Sequence, residues 1–170
     1  MKTIVIKKVR AFILRNGKIA VMKFNDTGTF MLPGGKLEKN ETMIEALSRE
    51  ILEETGIKIE PENLISDFHQ QIFERDKMDE TGKKYRSKII TTFYLVKTNK
   101  DFDYKKMSLS QKEKQNGVRP YWINPAILEY RLNIAINNYR NGYLGRYAKE
   151  YLTAFNRFKE FEKSNTSLEK

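Results

Sequence analysis

Apolar residues gather from Val9 to Phe24 in two runs that flank Asn16-Gly17, a pair that favours the tight turn of a β-hairpin. Residues 25–40 are rich in turn formers, with Asn25-Asp26-Thr27-Gly28 followed by Pro33-Gly34-Gly35. From Thr42 the period changes. Thr42 and Glu45 have capping-box spacing, Met43, Leu47 and Ile51 recur every fourth residue, and Gly56 supplies a stop. The pattern predicts a helix from Thr42 to about Thr55. Strand signals return at Ile57–Ile59 and Leu64–Phe73, and the polar run from Arg75 to Lys84 reads as a connection. Ile89–Val96 is β-branched and aromatic, which predicts a central strand. A charged loop of about twenty residues follows, long enough to suggest a functional role. Val118–Ile123 is a short strand holding the only tryptophan, Trp122. From Pro125 the spacing is helical, with one helix to about Tyr139, a break near Asn141-Gly142, and a second helix to about Phe161. The tail from Lys163 reads as frayed.

Strands, helix, strands, helices is an order that suits a mixed sheet with helices on its faces, an α+β or α/β sandwich. The 170 residues contain no repeat and no Pro/Gly/Ser linker, so a single domain over 1–170 is expected. Without cysteine there is no disulfide framework and no thiolate metal site, which fits a reducing compartment. The apolar run in Met1-Lys2-Thr3-Ile4-Val5-Ile6-Lys7-Lys8 stops after three residues, too short for a signal-peptide core. A soluble, cytoplasmic protein with no membrane partner is the expectation.

The net charge is +10, and residues 1–24 hold seven basic side chains (Lys2, Lys7, Lys8, Arg10, Arg15, Lys18, Lys23) and no acid. Such a field attracts nucleotides, coenzymes and RNA 5′ ends alike. A solvated lysine-rich surface accounts for it more simply than a nucleic-acid-binding function. Charge therefore permits a phosphorylated substrate without choosing one.

The chemistry is concentrated in the predicted helix. Glu50, Glu53 and Glu54 fall within an arc of about 100°, beside the core stripe of Met43, Leu47 and Ile51. Three like charges at the edge of a buried stripe repel one another unless a cation neutralises them. They also sit near the helix C-terminus, where the dipole disfavours anions, so helix stability alone does not account for them. Hard oxygen ligands select Mg²⁺ or Mn²⁺. A solvated acidic helix end would be the simpler explanation of an isolated Glu-x-x-Glu-Glu. Here the surroundings decide: Gly35, five residues, Glu41, seven residues, then Arg49-Glu50-Ile51-Leu52-Glu53-Glu54-Thr55-Gly56-Ile57. This run resembles the Nudix box at all nine of its specified positions.

The resemblance covers 23 residues closely and, with its flanks, roughly residues 5–130, leaving a C-terminal helical extension over about 131–163. It implies an α/β/α sandwich, an α+β fold with a mixed β-sheet between helices, here with extra C-terminal helices. It implies a MutT-like pyrophosphohydrolase that needs Mg²⁺ or Mn²⁺ and cleaves a phosphoanhydride bond in a nucleoside diphosphate linked to another group. Glu50, Glu53 and Glu54 match the metal-holding glutamates, and Glu50 or Glu53 the group that orients or deprotonates the attacking water. Arg49 matches the arginine that positions a box glutamate, with Glu53 in reach at i, i+4. Glu41 matches a position that anchors the loop. Gly34 and Gly35 allow backbone conformations closed to other residues, and Lys36 after them is a candidate phosphate contact, no better supported than a solvated turn lysine.

Outside the box, Glu113 is the candidate for a further carboxylate ligand, against the simpler reading of a solvated loop acid. His69, the only histidine, and Trp122 read as sheet residues rather than site residues. Within the family, ADP-ribose and dinucleoside polyphosphate enzymes often carry a Pro or Tyr some way past the box. The window Ile72-Phe73-Glu74-Arg75 has neither, and no coenzyme A signature precedes the box. These absences favour a nucleoside triphosphate or modified nucleotide as substrate. ADP-ribose or nucleotide-sugar hydrolysis, RNA 5′-end pyrophosphohydrolysis, and a non-catalytic nucleotide sensor are the alternatives, the last disfavoured by an intact box. The oligomeric state, a homodimer included, stays open.

Overall fold

The computed structural model describes residues 1–25, 28–139 and 142–168. Asn16 and Gly17 both have positive φ, 49° and 71°, and they join strand β1 (Lys2–Arg15) to β2 (Lys18–Lys23) as the sequence predicts. Beyond the turn the two strands separate, with Leu14↔Ile19 and Arg15↔Lys18 their only paired positions. Strand β3 (Phe30–Met31) and the residues after it fill the wedge. Met31 pairs with Met22 of β2, while the N–H groups of Val9 and Ala11 donate to the carbonyls of Gly35 and Pro33 at 2.9 Å. The Gly-rich loop is thereby sewn into the sheet.

Helix α1 (Met43–Thr55) begins at the Thr42–Glu45 capping box and ends at Gly56 in the left-handed conformation, φ 71°. Ile57–Ile59, expected as a strand, is buried but makes no ladder, and a 3₁₀ turn at Pro61–Asn63 follows. Strands β4 (Leu64–Met78) and β5 (Lys84–Lys97) form a long antiparallel hairpin. Half of the polar run from Arg75 to Lys84 is therefore strand, and the turn shrinks to residues 79–83. Charges pair across the hairpin: within the run Asp76 meets Arg86 at 3.1 Å, and just before it Glu74 meets Lys88 at 3.2 Å. β5 also pairs in parallel with β1 from Lys2 to Leu14, so β1 begins seven residues before the apolar run that signalled it.

The charged loop after β5 contains a short helix, α2 (Gln111–Gln115), and leads to β6 (Arg119–Ile123), which pairs along the far edge of β2. Helix α3 (Pro125–Asn138) is capped by Asn124, and α4 (Tyr143–Leu168) continues as helix where a frayed tail was expected. The expected turn residues Asp26 and Thr27, and Asn141 of the expected break, lie outside the described residues.

The result is a mixed six-stranded sheet between helices. On one face Val9, Ala11 and Ile13 of β1 meet Ala46, Leu47 and Ile51 of α1. On the other, Phe12, Phe93 and Leu95 meet Leu132 of α3 and Tyr151, Phe155 and Phe158 of α4. Alternation along β1 supplies both cores at once, as a strand covered on two faces requires. Among the described residues no helix is long and apolar enough to cross a membrane.

Candidate active site

The site forms where the C-terminal half of α1 meets the loop held in the β1–β2 wedge. Glu54, 8% exposed, accepts a 2.7 Å hydrogen bond from the Gly34 N–H. Burial is the largest influence on its carboxyl and, aided by the negative charges of Glu50 and Glu113, pushes the pKa up to about 8. Arg10 and the Gly34 N–H oppose that shift without cancelling it. Glu50 is likewise raised, first by burial and then by Glu53, with Arg49 opposing. Gly35 lies so close that a Cβ there would land on the Glu50 carboxylate.

Arg49 ties the arrangement together. Its Nε and Nη2 donate to the two Glu41 oxygens at 2.7 and 3.0 Å, a bidentate pair that lowers the Glu41 pKa. Its Nη1 reaches Glu50 at 2.9 Å and, more distantly, Glu53 at 3.3 Å, and its Nη2 reaches the Lys36 carbonyl. The principal partner is therefore Glu41, rather than the Glu53 that helical spacing offered. Glu41 also accepts from the Glu38 N–H, so it anchors the loop as its position implied.

A cavity of about 300 Å³ opens beside these groups. Glu50, Glu54, Gly34 and Gly35 form one side, Glu113 approaches from α2, and Met22, Phe24 and Met31 add an apolar wall. Glu53 and Lys36 are not among its lining residues. Glu53 is half exposed, and Lys36 is exposed on the strand edge, where it bridges to Lys8. Among the described residues no three acids stand close enough to form a ready-made cation cage. The donor set still fits a divalent cation: two neighbouring carboxylates whose charge burial disfavours, a third across the cavity, and a glycine where any side chain would displace one of them.

His69 sits on β4 beside Phe93, ring centroids 5.6 Å apart, and does not line the cavity. Trp122 stacks on Phe102 at 4.5 Å and donates to Asp101, so it braces the sheet. Sequence reasoning missed Arg10, which it counted with the surface charge. Arg10 is 6% exposed, lines the cavity, and donates from Nη1 to the carbonyls of Leu32 and Gly34. The available signal was its place inside the apolar run Val9–Ile13, where a charge has no reason to be unless it has partners.

The loop after β5 closes the end of α1. The Asp103 N–H donates to the Thr55 carbonyl at 3.1 Å and the Ser108 N–H to the Glu53 carbonyl at 2.8 Å, satisfying acceptors that a helix terminus leaves open. The same loop carries Glu113 to the cavity.

A family model described as NUDIX domain matches residues 6–140, and the chain belongs to the Nudix family. Among curated relatives, the human 8-oxo-dGDP phosphatase NUDT18 is 51% identical over 39 residues, 23% of this chain and 12% of that one. The phosphatase NudJ of Escherichia coli K12 is 38% identical over 66 residues, 38% of this chain and 42% of its own. A MutT-like protein of Streptomyces ambofaciens is 40% identical over 52 residues, 31% and 34% of the two chains. The matched stretches thus span less than half of each of these relatives. The MutT protein of Methanosarcina mazei Go1 aligns over 94% of this chain and 98% of its own, with a TM-score of 0.56 and 19% identity, a likeness of fold alone.

Proposed function

We propose that this chain is a divalent-metal-dependent pyrophosphohydrolase that cleaves a phosphoanhydride in a nucleoside triphosphate or modified nucleotide. The observation that carries the reading is the pair Glu50 and Glu54, buried against Gly34-Gly35 with carboxyl pKa values driven upward, beside a cavity with an apolar wall. The relatives support the substrate class by name: one acts on an oxidised nucleoside diphosphate, and another is MutT-like.

Family membership implies Mg²⁺ or Mn²⁺, which when bound would neutralise phosphate oxygens and acidify a water. Glu50 and Glu54 would hold it from the buried side, Glu53 from the exposed rim, and Glu113 from across the cavity. Glu50 or Glu53 takes the proton of the attacking water, and Arg49 fixes the position of both. Arg10 makes no ion pair within the described residues, so its remaining guanidinium donors are free to meet a phosphate oxygen. Lys36, exposed beside the glycines, meets the outer phosphate. Met22, Phe24 and Met31 receive the nucleoside. The scissile group is then held in place before water arrives, which is where most of the acceleration in phosphoryl transfer arises.

The test is release of phosphate or pyrophosphate, with Mg²⁺ and with Mn²⁺. Its substrates are nucleoside triphosphates, oxidised nucleotides, ADP-ribose, nucleotide sugars and 5′-triphosphorylated RNA. Metal-dependent turnover of the nucleoside triphosphates or oxidised nucleotides is expected, reduced about 100-fold or more in Glu53→Gln/Glu54→Gln. Turnover confined to another class would replace the substrate assignment. Tight nucleotide binding without turnover of anything would make the protein a sensor.

A further inference from the structure

Helix α4 runs along β1 in step with it. Side chains two apart on a strand share a face about 6.6 Å apart, and side chains four apart on a helix recur about every 6 Å. Lys8, Arg10 and Phe12 are such a series on β1, and Tyr147, Tyr151 and Phe155 on α4. At one end the Lys8 ammonium donates to the Tyr147 hydroxyl at 3.2 Å, and at the other the Phe12 and Phe155 rings lie 6.2 Å apart. Arg10 and Tyr151 are the middle pair. The Tyr151 ring stands edge-on to Phe93 at 6.4 Å, and Phe93 is the register partner of Arg10 on β5.

Tyr151 is 2% exposed, and its hydroxyl has no hydrogen-bond partner within the described residues. An unpaired buried hydroxyl weakens a fold, and phenylalanine would fill the same space without that cost, so packing alone does not account for it. Burial pushes the Tyr151 hydroxyl above its ordinary pKa, and Arg10 is the group that most opposes the shift. A guanidinium has five N–H donors. Nη1 of Arg10 turns to the carbonyls of Leu32 and Gly34, which leaves the hydrogens of Nε and Nη2. A phosphate engaged by a pair of these leaves one more, in need of an acceptor away from the cavity.

We infer that Tyr151 is a positioning residue for phosphate binding: its hydroxyl oxygen accepts from Arg10 on the side away from the cavity. Helix α4 thereby fixes the plane of the fork that Arg10 presents to the substrate. The inference rests on the proposed hydrolase reading and deepens it. The helix that follows the family-matched stretch acts on the site as well as covering the sheet.

Calorimetry on the full chain measures two affinities, for Mn²⁺ alone and for pyrophosphate with Mn²⁺ present. The proteins are wild type, Tyr151→Phe, Arg10→Met and the double variant. Tyr151→Phe should weaken pyrophosphate binding about tenfold, the loss of a hydrogen bond to a charged group, and leave Mn²⁺ affinity and Tm as in wild type. The same change should cost nothing further in Arg10→Met, because one residue acts through the other. Arg10→Lys, which keeps the charge without the fork, takes the place of Arg10→Met if that variant does not fold. Pyrophosphate affinity that is unchanged in Tyr151→Phe, or undetectable in wild type, overturns the inference. So does a full second loss in the double variant, or a parallel fall in Mn²⁺ affinity or Tm, the mark of a purely structural role. Because both affinities are read without turnover, coupling between Arg10 and Tyr151 in a chain that hydrolyses nothing would sink the hydrolase reading alone.

Discussion

A methyl group added at Gly35 would land on the Glu50 carboxylate, the movable end of a side chain, whereas one at Gly34 would land on the backbone of Val9. Gly34 also has φ 133°, a conformation other residues rarely adopt. The two substitutions should therefore separate. Gly35→Ala is expected to keep the wild-type Tm within a few degrees and lose most turnover, about 100-fold, because Glu50 is displaced. Gly34→Ala should instead lower Tm markedly, and thermal melts beside rates will show whether the pair divides this way. Glu54 gives a second prediction at this scale. Its folded pKa of about 8 lies above the ordinary 4.5, so the unfolded chain ionises first as pH rises. The metal-free protein should lose stability progressively between those two values, by up to about 5 kcal/mol, and the loss should be complete above pH 8. Glu54→Gln, which still accepts from Gly34, should flatten that slope in denaturation curves taken from pH 5 to 8.

At the scale of elements, α1 was fully legible. Its cap, its core stripe and its glycine stop are all local signals within one stretch of chain, and the structure places each where the spacing put it. The box gave the candidate carboxylates for the same reason. What could not be read depends on partners distant in sequence. The start of β1 is strand because β5 lies beside it in parallel register; Thr3-Ile4-Val5-Ile6 is β-branched, but the partner that pairs with it lies about eighty residues away. Arg75–Met78 looked like a loop because its charges are visible in sequence and their cross-strand partners are not. Arg10 is the same case inside the site. It reads as one more basic residue until the wedge brings the carbonyls of Leu32 and Gly34 to it. Tertiary pairing, not propensity, decides such positions.

For the molecule as a whole, the C-terminal helix is structural cover for the sheet. Phe155 is buried against Phe12, with centroids 6.2 Å apart, and Phe158 stacks on the same ring at 5.1 Å. Phe155→Ala should cost about 3–5 kcal/mol in chemical denaturation, a large share of what holds a domain of this size together. An unchanged midpoint would mean that α4 is an appendage rather than part of the core. The parallel pairing of β1 with β5 has another consequence, in time rather than in space. It joins residues about eighty positions apart, from Lys2 opposite Tyr85 onward, whereas β4 and β5 meet through a turn of five residues. Closing the longer loop carries the greater entropic penalty, so the hairpin can zip long before β1 arrives. The Gly34-Gly35 loop is bonded to β1, and until that strand docks the glutamates of α1 have nothing to face. Pulse-labelled hydrogen exchange during refolding should find the amides that pair β4 with β5 protected first and the β1 amides that face β5 last. A newly made chain would then pass through a stage that already has most of its sheet and no capacity for chemistry.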